Sequence, residues 1–332
     1  MSFAKGPRVV IWLLTSKCNL ACHHCYTARF PQERELDEEQ ALTLVESMAD
    51  SGVRHIGFSG GEVFLREDAL RIIKRAFKLG MSTSVVTNGS LLTEEIVKEL
   101  HDSQVLTFLS IDGAHKETHE RIRGSGTWSF VTAAAEKLQK FSAKFYTIMA
   151  VSRLNYTEVS GYLSLAQEMG ASAGCLIPVM PAGRASKKLI LPPDDMVTVL
   201  QSADETAKEL HFPVSLWCTP FAKLVVKSNS VFSNFCRLSN SEVDLDPEGN
   251  VLLCDVIDIR LSNIREKSIL EAWREQERNS LTKSLTNPKL AEPCLDCPLR
   301  NKCRGGCFAR AQLIAGDILA PDPLCPRIAG LI

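Results

Sequence analysis

The chain has 332 residues, of which 45% are hydrophobic and 23% charged, with a formal net charge of −1. This length allows two domains, or one large α/β domain with an extension, and the apolar content is enough for a full core. The near-neutral balance gives no electrostatic reason to expect nucleic acid or an anionic membrane as a partner, and no stretch approaches the roughly 18 apolar residues of a membrane span.

The first apolar run, residues 9–14, is too short for a signal-peptide core, so a cytoplasmic location is expected. Strands are expected at 9–15, 55–59, 82–87, 105–111, 145–151 and 173–180. These segments are short and apolar, several are rich in Val and Ile, and polar or Gly-containing stretches bound them. Helices are expected between them at 37–50, 67–79, 93–101, 128–141 and 156–169. The first is the best defined: Asp37 can cap it, Gln40 stands at the capping-box position, and Ala41, Leu44, Val45 and Met48 follow helical spacing. Six βα repeats with near-continuous apolar strands imply a parallel sheet with helices outside, and six are too few to close an eight-stranded barrel. An α/β fold, a partial (β/α)6 TIM-like barrel, is expected over 1–190. The alternation stops near Met180. Residues 181–195 read as a connector, one helix is expected at 193–210, and 191–235 is assigned as a bridging linker. From Cys236 to the end, 236–332, the segments are short and Cys-rich, and a small second domain is expected there.

Twelve cysteines, at 18, 22, 25, 175, 218, 236, 254, 294, 297, 303, 307 and 325, are the unusual feature of the composition. A reducing cytosol disfavours a disulfide framework, and clustered cysteines in such a chain are more often metal ligands. Cys18, Cys22 and Cys25 form a Cys-x3-Cys-x2-Cys set in the loop after the first expected strand, the edge of a βα architecture that carries active sites. Three thiolates can hold three irons of a 4Fe–4S cluster and leave the fourth open to a small molecule. A zinc site completed by His23 or His24 is the alternative, although zinc normally takes four ligands at recognisable spacing.

The segment CNLACHHCY resembles the signature of the radical S-adenosylmethionine (SAM) superfamily. Further features follow in the family's order. Ser59-Gly60-Gly61-Glu62 ends the second strand, Thr87-Asn88-Gly89 the third and Ser110-Ile111-Asp112-Gly113 the fourth, and IRGSGTWSF occupies 122–130. His24 stands where the family usually has an aromatic residue. The resemblance covers about 1–190. It implies that the open iron chelates SAM, that reductive cleavage yields a 5′-deoxyadenosyl radical, and that this radical abstracts hydrogen from a substrate. It also implies SAM contacts: Gly60, Gly61 and Glu62 near the amino group, Asn88 at the end of strand three, Ser110 at the ribose and Arg123 facing the carboxylate. The Gly60–Gly61 pair would let backbone approach the ligand, and the planar fork of Arg123 suits a carboxylate. The structural alternatives are that Glu62 caps the next helix and that Arg123 forms an ordinary ion pair.

The remaining cysteines give a second pattern. Cys236, Gly249 and Cys254 are followed by Cys294-x2-Cys297-x5-Cys303-x3-Cys307 and then Cys325. This resembles the SPASM extension found behind many radical SAM barrels, a holder for two auxiliary 4Fe–4S clusters. Three 4Fe–4S clusters in all are therefore implied. Cys236, Cys254 and Cys307 would serve auxiliary cluster one, and Cys294, Cys297, Cys303 and Cys325 cluster two. Cys218 is the candidate fourth ligand of cluster one, with an open iron as the alternative. A zinc ribbon over 294–307 is opposed by the Cys-Gly-Cys element upstream and by Cys325 downstream. Cys175 lies in an apolar run and reads as a small core residue.

Asp255 follows Cys254 directly. By resemblance to anaerobic sulfatase-maturing enzymes it is a candidate catalytic base; a turn cap or support for the cluster is the alternative. Asp246 and Asp258 read as turn residues. Arg184, Lys187 and Lys188 would meet an acidic substrate or simply face solvent. The leading function is therefore a radical SAM oxidoreductase of maturase type acting on a peptide or protein side chain, with an electron donor such as flavodoxin or ferredoxin. With the first strand so close to Met1, a peptide would have to be recognised by a separate protein or by the barrel mouth. A tetrapyrrole-modifying enzyme of alternative haem or haem d1 synthesis is the second reading. A cluster-bearing electron carrier is the third, and the intact CNLACHHC and SGGE argue against it.

Overall fold

The computed structural model describes residues 6–31, 34–236 and 241–332. Its elements in chain order are β1 (Val9–Thr15), α1 (Glu38–Asp50), β2 (His55–Gly60), α2 (Ala69–Lys78), β3 (Ser82–Thr87), α3 (Glu94–Asp102), β4 (Leu106–Ser110), α4 (Lys116–Arg123), α5 (Thr127–Lys140), β5 (Phe145–Val151), α6 (Val159–Glu168), β6 (Gly174–Pro178), α7 (Pro193–Glu209), β7 (Val214–Leu216), β8 (Val231–Ser233), β9 (Glu242–Leu245), β10 (Asn250–Cys254), β11 (Ile257–Asn263), α8 (Ile269–Arg278), α9 (Ser280–Thr286), α10 (Arg300–Cys303) and α11 (Phe308–Ala315).

The six expected strands are all present within one or two residues. So is the α1 capping box, with the Asp37 side chain accepting from the Gln40 N–H and the Gln40 side chain accepting from the Asp37 N–H. Strands β1 to β8 pair in sequence order, all parallel, with helices covering the sheet in a partial barrel. Leu14, Phe58 and Leu109 from the strands and Val45, Ile72 and Leu138 from the helices are buried together in the main apolar core.

Two features differ from the sequence expectation. The alternation does not stop at Met180: α7 follows β6, and β7 and β8 extend the sheet through residues 191–235. These strands have three residues each, too short to carry a readable period. The Cys-rich C-terminal part also joins the same sheet. β9 pairs parallel with β1, setting Ile11 beside Asp244, and β10 and β11 continue antiparallel from β9. The β10–β11 turn, which carries Cys254 and Asp255, thereby comes to the end of β1 that carries Cys18–Cys25. Among the described residues no helix is long and apolar enough to cross a membrane.

Candidate active site

One cavity of about 530 Å³ opens at the carboxyl ends of the strands, and Cys18, Cys22 and Cys25 line it. The loop that carries them is held from two sides, by the end of β2 and by Arg184. The Gly61 N–H donates to the Thr15 carbonyl at 2.7 Å and the Glu62 N–H to the Lys17 carbonyl at 2.8 Å. A Cβ at Gly60 or Gly61 would overlap the Thr15 or Lys17 carbonyl, and Gly60 has φ +126°. The glycines thus bring β2 onto the backbone leading into Cys18, besides lining the cavity themselves. Opposite, Arg184 donates from Nε to the Cys22 carbonyl at 3.0 Å and from its backbone N–H to the Cys25 carbonyl at 2.9 Å. Neither sequence reading of Arg184 anticipated this clamp; Lys187 and Lys188 are exposed.

The expected SAM-side residues fall into two groups. Gly60, Gly61, Asn88, Ser110 and Arg123 line the cavity. Glu62 stands behind them, fully buried, and accepts from Thr87 Oγ1 at 2.8 Å, the Asn88 N–H at 2.8 Å and the Phe64 N–H at 3.3 Å. It caps the short 3-10 turn at 63–65 and holds the end of β3 in place. Burial pushes its carboxyl pKa up.

Arg123 belongs to a network that no sequence spacing announces. Its Nε donates to Asp112 Oδ2 at 2.6 Å, and the two side chains are 11% and 0% exposed. Asp112 Oδ1 accepts from the Ala150 N–H at 2.7 Å, and its own N–H donates to His119 Nδ1 at 3.2 Å. His24 Nε2 lies 3.4 Å from Asp112 Oδ2. Burial opposes the charge on Asp112, but Arg123, then His24 and His119, outweigh it and hold the carboxyl below its usual range. Burial lowers His24 and His119 to about 4, so both rings are neutral at pH 7.

The far wall of the cavity comes from the C-terminal part, with Cys218, Cys236, Cys254 and Cys307 all on it. The thiols of Cys218 and Cys307 hydrogen-bond each other. Cys294, Cys297, Cys303 and Cys325 surround a separate small void of about 20 Å³. Cys175 is fully buried against Phe108 and Ile148, with its thiol pushed up to about 12 by burial.

Asp255 also lines the cavity and joins the two walls. Its Oδ2 accepts from the Tyr26 hydroxyl at 2.6 Å, and its carbonyl accepts from Arg29 Nη2 at 2.5 Å. Its N–H donates to Asp244 Oδ2 at 2.9 Å. Burial pushes the Asp255 carboxyl up, partly offset by Tyr26 and Arg29; Asp244 is raised well above the usual range by burial and by Asp255. Sequence reasoning did not single out Tyr26, and nothing local links residue 26 to residue 255. Asp246 is a buried turn residue, accepting from the N–H groups of Glu248 and Asn250, and Asp258 is exposed.

The donor set fits iron–sulfur clusters. All twelve cysteines are free of disulfides, and eleven of them lie along the cavity or the small void, a thiol-rich donor set of the kind that iron–sulfur clusters take.

Comparison with known proteins identifies two families along the chain. Residues 12–166 match the model of the Radical SAM superfamily, and residues 236–298 match that of SPASM, an iron–sulfur cluster-binding domain. The chain is 30% identical to an AdoMet-dependent heme synthase of Methanosarcina barkeri over 98% of both chains. It is 25% identical to the mycofactocin maturase MftC of Mycolicibacterium smegmatis, over 96% of this chain and 83% of that one. The fold is that of Streptococcus suis SuiB, solved bound to its precursor peptide SuiA: TM-score 0.80, 16% identity, 97% of this chain and 76% of that chain covered.

Proposed function

The chain belongs to the radical SAM superfamily and carries a C-terminal SPASM domain, and on that premise we propose that it oxidises a peptide or protein side chain held in the central cavity. Cys18, Cys22 and Cys25 would hold the SAM-binding cluster. Cys218, Cys236, Cys254 and Cys307 would hold one auxiliary cluster, and Cys294, Cys297, Cys303 and Cys325 the other. When bound, three 4Fe–4S clusters and SAM would supply reductive SAM cleavage, hydrogen-atom abstraction and one-electron oxidation.

The protein's own residues bind, orient and take a proton. Asp112 holds Arg123 by Nε, which leaves the two terminal nitrogens of the guanidinium for a ligand carboxylate. Glu62 sets the Asn88 backbone at the cavity edge. Asp255 is the proton acceptor, held by Tyr26, with a carboxyl raised towards the working range of a general base.

Asp255 is also the observation that carries the choice of substrate class. A side chain with an O–H, S–H or N–H gives up a proton when it is oxidised and needs a base. A propionate lost as carbon dioxide releases no proton and needs none. Cationic partners are also few: among the described residues lining the cavity, Arg123 is the one arginine or lysine. Such a wall does not suit a substrate bearing several carboxylates. The second reading, a tetrapyrrole substrate, is favoured by the 30% identity to the heme synthase along the whole chain. A small carrier such as flavodoxin or ferredoxin is the expected reductant, and the cytoplasm the expected location.

The deciding assay is 5′-deoxyadenosine formation by the anaerobically reconstituted protein with SAM and dithionite. Stimulation by a small-peptide fraction from the source cells, and not by a siroheme-derived tetrapyrrole, is the expected outcome. Stimulation by the tetrapyrrole alone would replace the first reading by the second.

A further inference from the structure

Helix α8 buries one stripe, Ile269, Ala272, Trp273 and Gln276, at the spacing of an apolar helix face. The fourth member is an amide, and Gln276 is 1% exposed. A buried amide needs partners at both ends, and an end left without one costs about 1–3 kcal/mol. The nitrogen end has its partner: Gln276 Nε2 donates to the Glu242 carbonyl at 3.0 Å. That bond also fixes the amide's orientation, because a carbonyl can only accept. The oxygen end, Oε1, is buried with no partner.

Gln276 lines the central cavity, and so does Asp244. Along β9 the side chain of Asp244 lies on the cavity face, and its neighbours Val243 and Leu245 lie in the apolar core on the other face. Asp244 repeats the pattern of Gln276. Its Oδ2 accepts from the Asp255 N–H at 2.9 Å, and its Oδ1 is buried with no partner. A carboxyl group keeps acceptor capacity in either protonation state. The strand that holds Asp244 is joined through the Glu242 carbonyl to Gln276, so both unpartnered oxygens belong to one wall.

Apolar side chains line the same cavity: Ile11, paired with Asp244 across β1 and β9, and Phe108, Ile148 and Trp217. The one N–H among these side chains, Trp217 Nε1, already donates to Ser215 Oγ at 3.1 Å. In surroundings of this kind a hydrogen bond is stronger than in water.

We propose that Gln276 Oε1 and Asp244 Oδ1 form the polar end of a substrate pocket for a side chain with an apolar stem and an N–H-bearing head, an ammonium or a carboxamide. Two acceptors left open on one wall call for N–H donors from the ligand. Because Asp244 holds the Asp255 backbone, a head seated on this wall places the adjoining part of the substrate beside the Asp255 carboxyl. Gln276 and Asp244 bind and orient in this role and move no proton. The inference rests on the peptide reading above for the chain that carries the head.

A ligand-observed NMR titration of the anaerobically reconstituted holoprotein tests the pocket, with SAM present so that the ammonium of SAM is not the occupant. The probes are n-butylammonium, butyramide and 2-pentanone, alike in size, of which the ketone has no N–H. At least one N–H probe is expected to bind about tenfold more tightly than 2-pentanone, and Q276M to abolish that difference, the effect of one hydrogen bond away from water. The better of the two N–H probes identifies the head as cationic or neutral. Equal binding of the ketone, no binding of any probe, or an unchanged preference in Q276M overturns the proposal. Should Q276M load less iron, D244N carries the test. Its amide oxygen can take over the Asp255 N–H, which sets an NH2 group in place of the open oxygen. The N–H probes are then expected to bind about tenfold more weakly and the ketone no more weakly, and an unchanged order overturns the pocket. If the N–H preference holds while the peptide fraction fails to stimulate SAM cleavage, the pocket stands and the peptide reading falls.

Discussion

Replacing Asp112 by asparagine changes one charge in a network otherwise closed by hydrogen bonds. The amide oxygen can still accept from the Ala150 N–H, now 2.7 Å from Oδ1, so the end of β5 keeps its partner. What is lost is the countercharge of Arg123, whose side chain is 11% exposed and whose Nε lies 2.6 Å from Asp112 Oδ2. Removing one partner of a buried pair costs about 3–5 kcal/mol, because the other charge stays out of water unpaired. The slight exposure of Arg123 places the expected loss near the lower end, about 3 kcal/mol, a large part of the total stability of a typical domain. Equilibrium urea unfolding under anaerobic, reducing conditions measures it. D112N/R123M, which removes both charges, is expected to recover much of the loss. E38Q, at the exposed Arg71–Glu38 pair, is the control and is expected to change stability little. If D112N costs no more than E38Q, the buried network does not hold Arg123 as described. In the loaded protein D112N is also expected to weaken SAM binding, since an unanchored guanidinium no longer sits ready at the cavity wall.

Three further outcomes are expected. His119 is 1% exposed, its Nδ1 accepts the Asp112 N–H, and burial, then Arg123, lowers its pKa from 6.5 to about 4. The unfolded chain therefore binds the extra proton first. The stabilisation is complete above pH 6.5 and is lost as pH falls through about 4, roughly 3 kcal/mol in all; His119→Asn, which keeps an acceptor, is expected to flatten this part of the pH–stability curve, and an unchanged slope would refute it. Asp255→Asn is expected to leave SAM cleavage in place and to lower formation of oxidised product by about 10²–10⁴-fold, and full product formation would remove Asp255 as the base. Cys325→Ser and Cys218→Ser are each expected to reduce the iron content, Cys325→Ser by about four irons, and Cys175→Ser to leave it unchanged; iron loss in Cys175→Ser would contradict its place in the core.

Much of this was legible locally. The first six parallel strands were visible because each is a short apolar run, and α1 because Asp37 and Gln40 can only act within one turn of each other. Cys18, Cys22 and Cys25 were visible as a set because they fall within one loop, and Cys294, Cys297, Cys303 and Cys307 because they recur within one short stretch; the distant Cys218, Cys236, Cys254 and Cys325 were added by resemblance to a family pattern or as candidates. Two corrections came from elements too short to show a period: β7 and β8, three residues each, continue the sheet where a linker was expected. Arg184, read as a solvated or substrate-facing side chain, braces the backbone of Cys22 and Cys25. Glu62 was recognised by its motif, but only the fold places its carboxylate behind the cavity wall, on Thr87 and Asn88.

The sequence by itself determined the chemistry available to this protein: three groups of thiols, a barrel-like framework and a base candidate beside Cys254. Tertiary structure alone decided which of these groups meet. Pairing of β9 with β1 brings Asp255 to Tyr26 across 229 positions of sequence. Hydrogen bonding and ionic attraction act over a few ångströms, and separation along the chain does not reveal that distance until the sheet has formed.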